Sequence, residues 1–306
     1  MLDESDLDEK SADDFVRVRM NKSARLSTGW SFSKQSQYKY IGGPSVIVDA
    51  GKLKLIQYFK WVGQTIHNDI VVCDGSALEG KHSRLLRNAT GMPNSSFAAA
   101  KYGDTLYLFY VNDDYQLRGL EVYGVNDWGV IPDLKIAAND RPALAVFNDA
   151  LFMIFQGNTE GEVWYKIFDS NGWGNHIRIT GIQMSFSPSL AVFENKLYCA
   201  FRGFNDSWIW TMVYENGQWS PHQKTSMTAE GPPSLCVHNG TLYCAYVAAG
   251  TDKLCISHRQ LGEWVGHDIL VGQRSSHEPA LVSFNNKLHY FYLNNRVMNC
   301  TTHSGI

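Results

Sequence analysis

The chain has no long apolar run, no basic cluster, no metal-type cysteine spacing and no readable catalytic signature. No stretch approaches the ~18 apolar residues of a membrane span. Lysine and arginine total 27 against 30 aspartates and glutamates, a net charge of −3. No run of cations offers the footprint of nucleic-acid binding. The cysteines Cys73, Cys199, Cys236, Cys244, Cys255 and Cys300 fit no zinc or redox spacing. Cys199 and Cys244 hold the same place in consecutive repeats, as small apolar core residues do, and the set is expected to be mainly free, buried thiols. Met1 to Asp14 are acidic and lack an apolar centre, so neither a signal peptide nor a packed element is expected there. The expected division is a disordered acidic lead-in over 1–24 and a single domain over 25–306.

What the chain does have is a repeat. Phe-Ser-Pro-Ser-Leu-Ala-Val-Phe-Glu-Asn-Lys-Leu-Tyr (186–198) sets Pro188 nine residues before Leu197. The same frame recurs from Pro44, Pro142, Pro233 and Pro279, with a worn copy that begins at Phe97. The steps are 53, 45, 46, 45 and 46 residues. A fixed strand-built period of ~40–50 residues is the signature of a β-propeller, one blade per repeat. Within each period an apolar inner strand is followed by a turn such as Glu194-Asn195-Lys196, His238-Asn239-Gly240 or Asn285-Asn286-Lys287. Asn and Gly tolerate the positive φ that such hairpins require.

The tryptophans predict how the ring closes. Trp128, Trp173, Trp219 and Trp264 lie 14 or 15 residues before the next proline, and Trp30 lies 14 before Pro44 with no repeat ahead of it. After Pro279 there is room for three strands only. The expected fold is therefore an all-β, six-bladed propeller whose sixth blade is closed by the N-terminal strand around Trp30 (Leu26–Ser33). Closure of this kind removes edges open to pairing with other chains.

Function in such a ring belongs to the loops on one face. Loops after the second strands open with Lys60-Trp61, Tyr110, Gln156, Arg202, Val247 and Tyr292. Loops before the inner strands deliver Tyr38 and Tyr40, Asn94, Asp140-Arg141, Phe186, Gly231 and His277-Glu278. Both sets are expected to converge on the central mouth. Arg141, Arg202, Gln156 and His277 are the candidate donors to a substrate oxygen. Tyr40, Lys60, Trp61, Tyr110, Phe186, Tyr246 and Tyr292 are the candidate substrate contacts. Each has a plainer reading: the arginines as rim ion-pair partners, and His277-Glu278 as neighbours on opposite faces of a strand. The repeated tryptophans read as structural. Six glycosylation sequons (Asn21, Asn88, Asn94, Asn205, Asn239, Asn299) point toward a secretory or lumenal compartment.

Pro-Ser-Leu-Ala-Val-Phe-Glu-Asn-Lys-Leu-Tyr-Cys-Ala-Phe-Arg-Gly (188–203), followed by Gly217-Gln-Trp-Ser, resembles repeats of lectin-like fungal and bacterial propellers. The resemblance runs from about Pro44 to Tyr292 and implies a blade, not a ligand. Fucose lectins of this kind copy one pocket between successive blades, and copying favours multivalent binding. Here the loops differ: Arg202-Gly-Phe-Asn, Gln156-Gly-Asn-Thr, Val247-Ala-Ala-Gly and Asn112-Asp-Asp-Tyr share no set. A single unrepeated pocket suits one apolar, polyfunctional molecule. In this the chain looks like the propeller-fold hetero-Diels–Alderases of fungal tropolonic sesquiterpene biosynthesis. That likeness implies a cofactor-free pericyclase that joins a polyketide quinone methide to a terpene by holding both in reactive geometry. The expected partner is a small polyketide or terpenoid, with no cofactor, metal, nucleic acid or membrane span, and a homodimer is compatible. The alternative is a carbohydrate-binding propeller without catalysis.

Overall fold

The computed structural model describes residues 19–20, 34–39, 43–60, 68–74, 82–84, 95–124, 127–275, 277–295 and 297–303. Those residues form strands and turns, with no helix among them. One antiparallel meander runs through Ser45–Asp49, Lys52–Lys60, Asn68–Asp74 and His82–Arg84. A second runs through Ala98–Tyr102, Thr105–Val111, Leu117–Gly124 and Asp127–Val130. Next comes a nine-stranded sheet in which Ile177–Phe193, 17 residues long, is shared. Its first part pairs with Glu162–Asp169 and its second with Lys196–Gly203. Two further meanders open at Ser234–His238 and Ala280–Phe284.

The hairpins follow from residues that tolerate left-handed backbone. Ala50-Gly51, Asn148-Asp149, Glu194-Asn195, Asn239-Gly240 and Asn285-Asn286 all have positive φ at both positions. That is the two-residue type I′ turn, whose twist matches the flanking strands.

The first strands stand side by side. Ser45–Asp49 touches Ala98–Tyr102, which touches Ala143–Phe147, and contacts continue through Ile177–Phe193, Ser234–His238 and Ala280–Phe284 back to Ser45–Asp49. The serine of the repeated Pro-Ser pair stitches this circuit. Phe97 N donates to Ser45 Oγ (3.0 Å), Leu235 N to Ser189 Oγ (2.9 Å) and Leu281 N to Ser234 Oγ (3.0 Å). A buried N–H at the edge of one sheet thus gains an acceptor from its neighbour.

The core lies between the sheets. Phe109 and Leu117 pack on Leu151 and Met153, Leu53 and Leu55 on Phe291 and Met298, and Leu254 on Leu288 and Tyr290. The repeated tryptophans belong to these layers: Trp173 meets Phe109 at 5.6 Å and Trp219 meets Tyr214 at 5.1 Å between ring centroids. The thiols of Cys199, Cys244 and Cys255 are free and buried, that of Cys236 is free and partly buried, and Cys300 is buried.

The N-terminal segment does join the last sheet. Lys34–Lys39 pairs with Val297–His303, through Lys34↔Cys300 and Gln35↔Asn299. Trp30 and Leu26–Ser33 lie outside the described residues. Of the expected lead-in over 1–24, only Arg19–Met20 is described; it pairs with Lys34 and Gln35.

Candidate functional site

The segments that enter the first strands meet around a cavity of about 450 Å³. Its wall includes Ser96, Asp140, Phe186, Glu230, His277 and Glu278. Four entry positions read from the repeat, at Asp140, Phe186, Gly231 and His277-Glu278, are thus brought together.

Two carboxyl groups dominate. Asp140 Oδ1 accepts from Arg141 N (2.7 Å) and Oδ2 from Ser187 N (3.1 Å). Even so, burial and then the nearby Glu278 charge push the Asp140 carboxyl above its ordinary value. Such a group holds a proton longer than usual and can donate a hydrogen bond. Glu278 Oε1 accepts from Ser96 Oγ at 2.7 Å and lies 3.8 Å from Arg141 Nε. Gly43 makes room for it: an added Cβ there would stand 2.1 Å from Glu278 Cδ. Arg141 Nε is buried with no hydrogen-bond acceptor among the described residues. The residues that line the cavity do not include Arg141.

Opposite chemistry comes from Phe186. It has φ +66°, a conformation a bulky aromatic rarely adopts, and it remains 40% exposed. The Arg202 guanidinium lies 5.3 Å from the ring centroid, within cation–π range. Arg202 Nε is taken by Ala229 O at 2.9 Å. The arginine therefore braces the aromatic and the next loop.

The remaining candidates fall elsewhere. Gln156 is buried and donates through Nε2 to Met184 O (2.8 Å), so its amide closes a backbone gap. Tyr110, Tyr246 and Tyr292 point between sheets: Tyr110 packs on Phe97, Tyr292 on Tyr290, and Tyr246 sits among Ala229, Leu235 and Cys255. Strand alternation turns them from the mouth into the core. Asn112, from the acidic loop, is also buried, and its Oδ1 caps the turn at Asp114 N (3.2 Å) and Gln116 N (2.8 Å). Tyr40 and Trp61 lie outside the described residues, as does the Lys60 side chain. Of the sequons, Asn205 and Asn239 are exposed and Asn299 is buried.

Sequence reading brought Asp140 and Glu278 to the mouth but did not pair their carboxyls, because 138 positions separate them in the chain. The recurrence of Trp164 and Trp210, each thirteen residues after its repeat leucine, is legible in the sequence, but the copied set around them was not singled out. Gly157, Trp164, His176 and Arg178 recur 46 residues later as Gly203, Trp210, His222 and Lys224. Trp164 Nε1 donates to Glu162 Oε2 and Trp210 Nε1 to Asp206 Oδ2, both at 3.2 Å. His176 and His222 lie 5.3 and 5.0 Å from their tryptophans between ring centroids. Of these, Trp164, Trp210, Arg178 and Lys224 lie on the third and fourth strands and not in the variable loops.

No protein-family model matches the chain, and no curated protein sequence matches it. Solved structures do. An arginine-to-alanine triple mutant of AofleA from Arthrobotrys oligospora aligns at TM-score 0.66 and 12% identity, over 89% of this chain and 85% of that one. The lectin of Aleuria aurantia in complex with α-methyl-L-fucoside aligns at TM-score 0.56 and 13% identity, over 83% and 89%. A subtype N11 neuraminidase-like protein of a flat-faced bat isolate from Peru aligns at TM-score 0.59 and 9% identity, over 95% and 98%. The chain has the all-β propeller fold that these proteins share, and its structural neighbours include lectin-like propellers.

Proposed function

We propose that the central mouth binds one polyhydroxylated small molecule, a sugar or sugar-like group, in a ring of six blades. The observation that carries this reading is the composition of the wall. Carboxyl and hydroxyl groups of Asp140, Glu278, Glu230 and Ser96 face an exposed aromatic, Phe186. Carboxyl oxygens accept from sugar hydroxyls, a protonated carboxyl donates, and the apolar face of a pyranose stacks on an aromatic ring. The lectins with which the chain shares its fold supply a precedent, and the copied set around Trp164 and Trp210 suits additional sugar contacts at the rim. The blade number rests on the circuit of first strands and on the six copies of the repeat.

A second reading keeps the mouth as a cycloaddition site of the hetero-Diels–Alderase type. The raised Asp140 favours it, since a carboxyl that stays protonated can bond a carbonyl oxygen as electron density moves onto it. Arg141 Nε, buried without an acceptor, would be the second donor after a small shift.

Ligand-dependent thermal stabilisation separates the two. A sugar panel and a panel of polyketide and terpenoid products are compared on the parent chain and on Asp140→Ala. Stabilisation by a sugar that disappears in Asp140→Ala supports the first reading. Stabilisation by an apolar product alone, at one site per chain, replaces it with the second. A sugar that stabilises both proteins equally removes the mouth from the account and moves attention to the rim.

A further inference from the structure

Away from the mouth, two irregular outer strands face one another. In Gln223–Thr228 the pairing steps from Trp208↔Thr228 to Trp210↔Lys224, so two extra residues bulge out around Ser226. In Glu263–Arg274 it steps from Ile256↔Asp268 to His258↔Val265, which leaves one extra residue at Gly266-His267. Gly266 has φ +69°. Bulges re-aim side chains and recur beside active sites.

Together they bring Ser226 Oγ to 3.1 Å from His267 Nε2. The other ring nitrogen is anchored: His267 Nδ1 lies 3.0 Å from Tyr246 Oη and 3.1 Å from Ser257 Oγ. Tyr246 and Ser257 are buried, while Ser226 and His267 are exposed. Burial pushes the Tyr246 phenol far up, so it stays a neutral hydroxyl that can accept from Nδ1–H.

We propose that Ser226 and His267 form a nucleophile–base pair for acyl transfer from small activated esters, with Tyr246 and Ser257 as positioning residues. The arrangement has the three parts that activate a serine: nucleophile, base within hydrogen-bond reach, and a group that orients the base. The role requires the tautomer in which Nδ1–H donates to the buried hydroxyls and the Nε2 lone pair accepts from Ser226 Oγ. The Ser226 Oγ–acyl bond forms as the ester C–O bond breaks, and the leaving group departs as the alkoxide or phenolate. The Ser226 proton moves to His267 Nε2. Water then attacks the acyl carbon while His267, after losing its proton to solvent, takes the proton of that water. The acyl–Oγ bond breaks, His267 returns the proton to Ser226 Oγ, and the carboxylic acid leaves. The pair lies on open strands, so the substrate class is a compact acyl ester.

p-Nitrophenyl acetate is the probe. The expected result is acetylation of Ser226, located by peptide mass spectrometry, with a burst of about one nitrophenolate per chain. His267→Ala should slow it about a hundredfold, the lower range for loss of a general base. Tyr246→Phe should slow it less, because Ser257 still holds Nδ1. Circular dichroism confirms that each variant is folded. Acetylation of Ser226 no faster than of the exposed Ser220, or a rate unchanged in His267→Ala, overturns the proposal.

Discussion

Phe186 is the residue at which conformation and chemistry meet most directly. An L-residue with a large side chain in the left-handed region carries roughly 1–3 kcal/mol of strain. The fold tolerates this because Arg202 and the following loop hold the ring over the mouth. Replacing a well-buried phenylalanine by a small residue usually costs about 3–5 kcal/mol. For Phe186→Gly the expected cost is only about 1 kcal/mol, since relief of the backbone offsets most of the lost packing. Ligand-induced stabilisation should vanish in the same variant. Paired melts with and without ligand check both statements; a large loss of stability would show that Phe186 is a packing residue.

At the scale of elements, the contacts between neighbouring sheets carry the energetics. Ser234 Oγ accepts from Leu281 N across a sheet boundary. Ser234→Ala removes that acceptor from a buried N–H and should cost about 1–3 kcal/mol in chemical denaturation. Asp49 is a second tie, bonded to Lys54 at 2.5 Å in its own meander and to Lys101 at 2.7 Å in the next. Burial opposes its charge, but the bonds from Lys101 and Lys54 outweigh burial and hold the carboxyl below its ordinary 3.8. Its contribution is therefore present above the ordinary carboxylate pKa and lost as pH falls through the lowered value. Asp140 has the opposite sign: with a raised folded pKa, its contribution is present at low pH and lost as pH rises through that value. Asp49→Asn should lower the melting temperature near neutral pH and flatten the acid limb of the stability profile. An unchanged acid limb would remove Asp49 from the account.

For the whole molecule, the N-terminal strand is the decisive piece. Lys34–Lys39 covers one edge of Val297–His303. A chain that starts at Gly43 would leave that edge bare, with unpaired N–H and C=O groups able to recruit another chain. The expected outcome is a lower melting temperature and a shift toward larger species on size-exclusion chromatography. A monomer of parent stability would mean that the ring closes without this strand.

The all-β repeat, its turns and four of the entry positions that meet at the cavity were legible in the sequence because they depend on local chemistry. Proline and leucine at fixed spacing mark a strand pair, and Asn and Gly mark type I′ turns. Side-chain destinations were less legible. Tyr110, Tyr246 and Tyr292 lie near strand ends, where the alternation of faces and the packing of the next sheet place them in the core rather than at the mouth. The pairing of Asp140 with Glu278, of Ser226 with His267 and of Asp49 with Lys101 arises only when the sheets stand around an axis. Such contacts depend on sheet-to-sheet geometry, and no spacing along the chain encodes the distance across a ring.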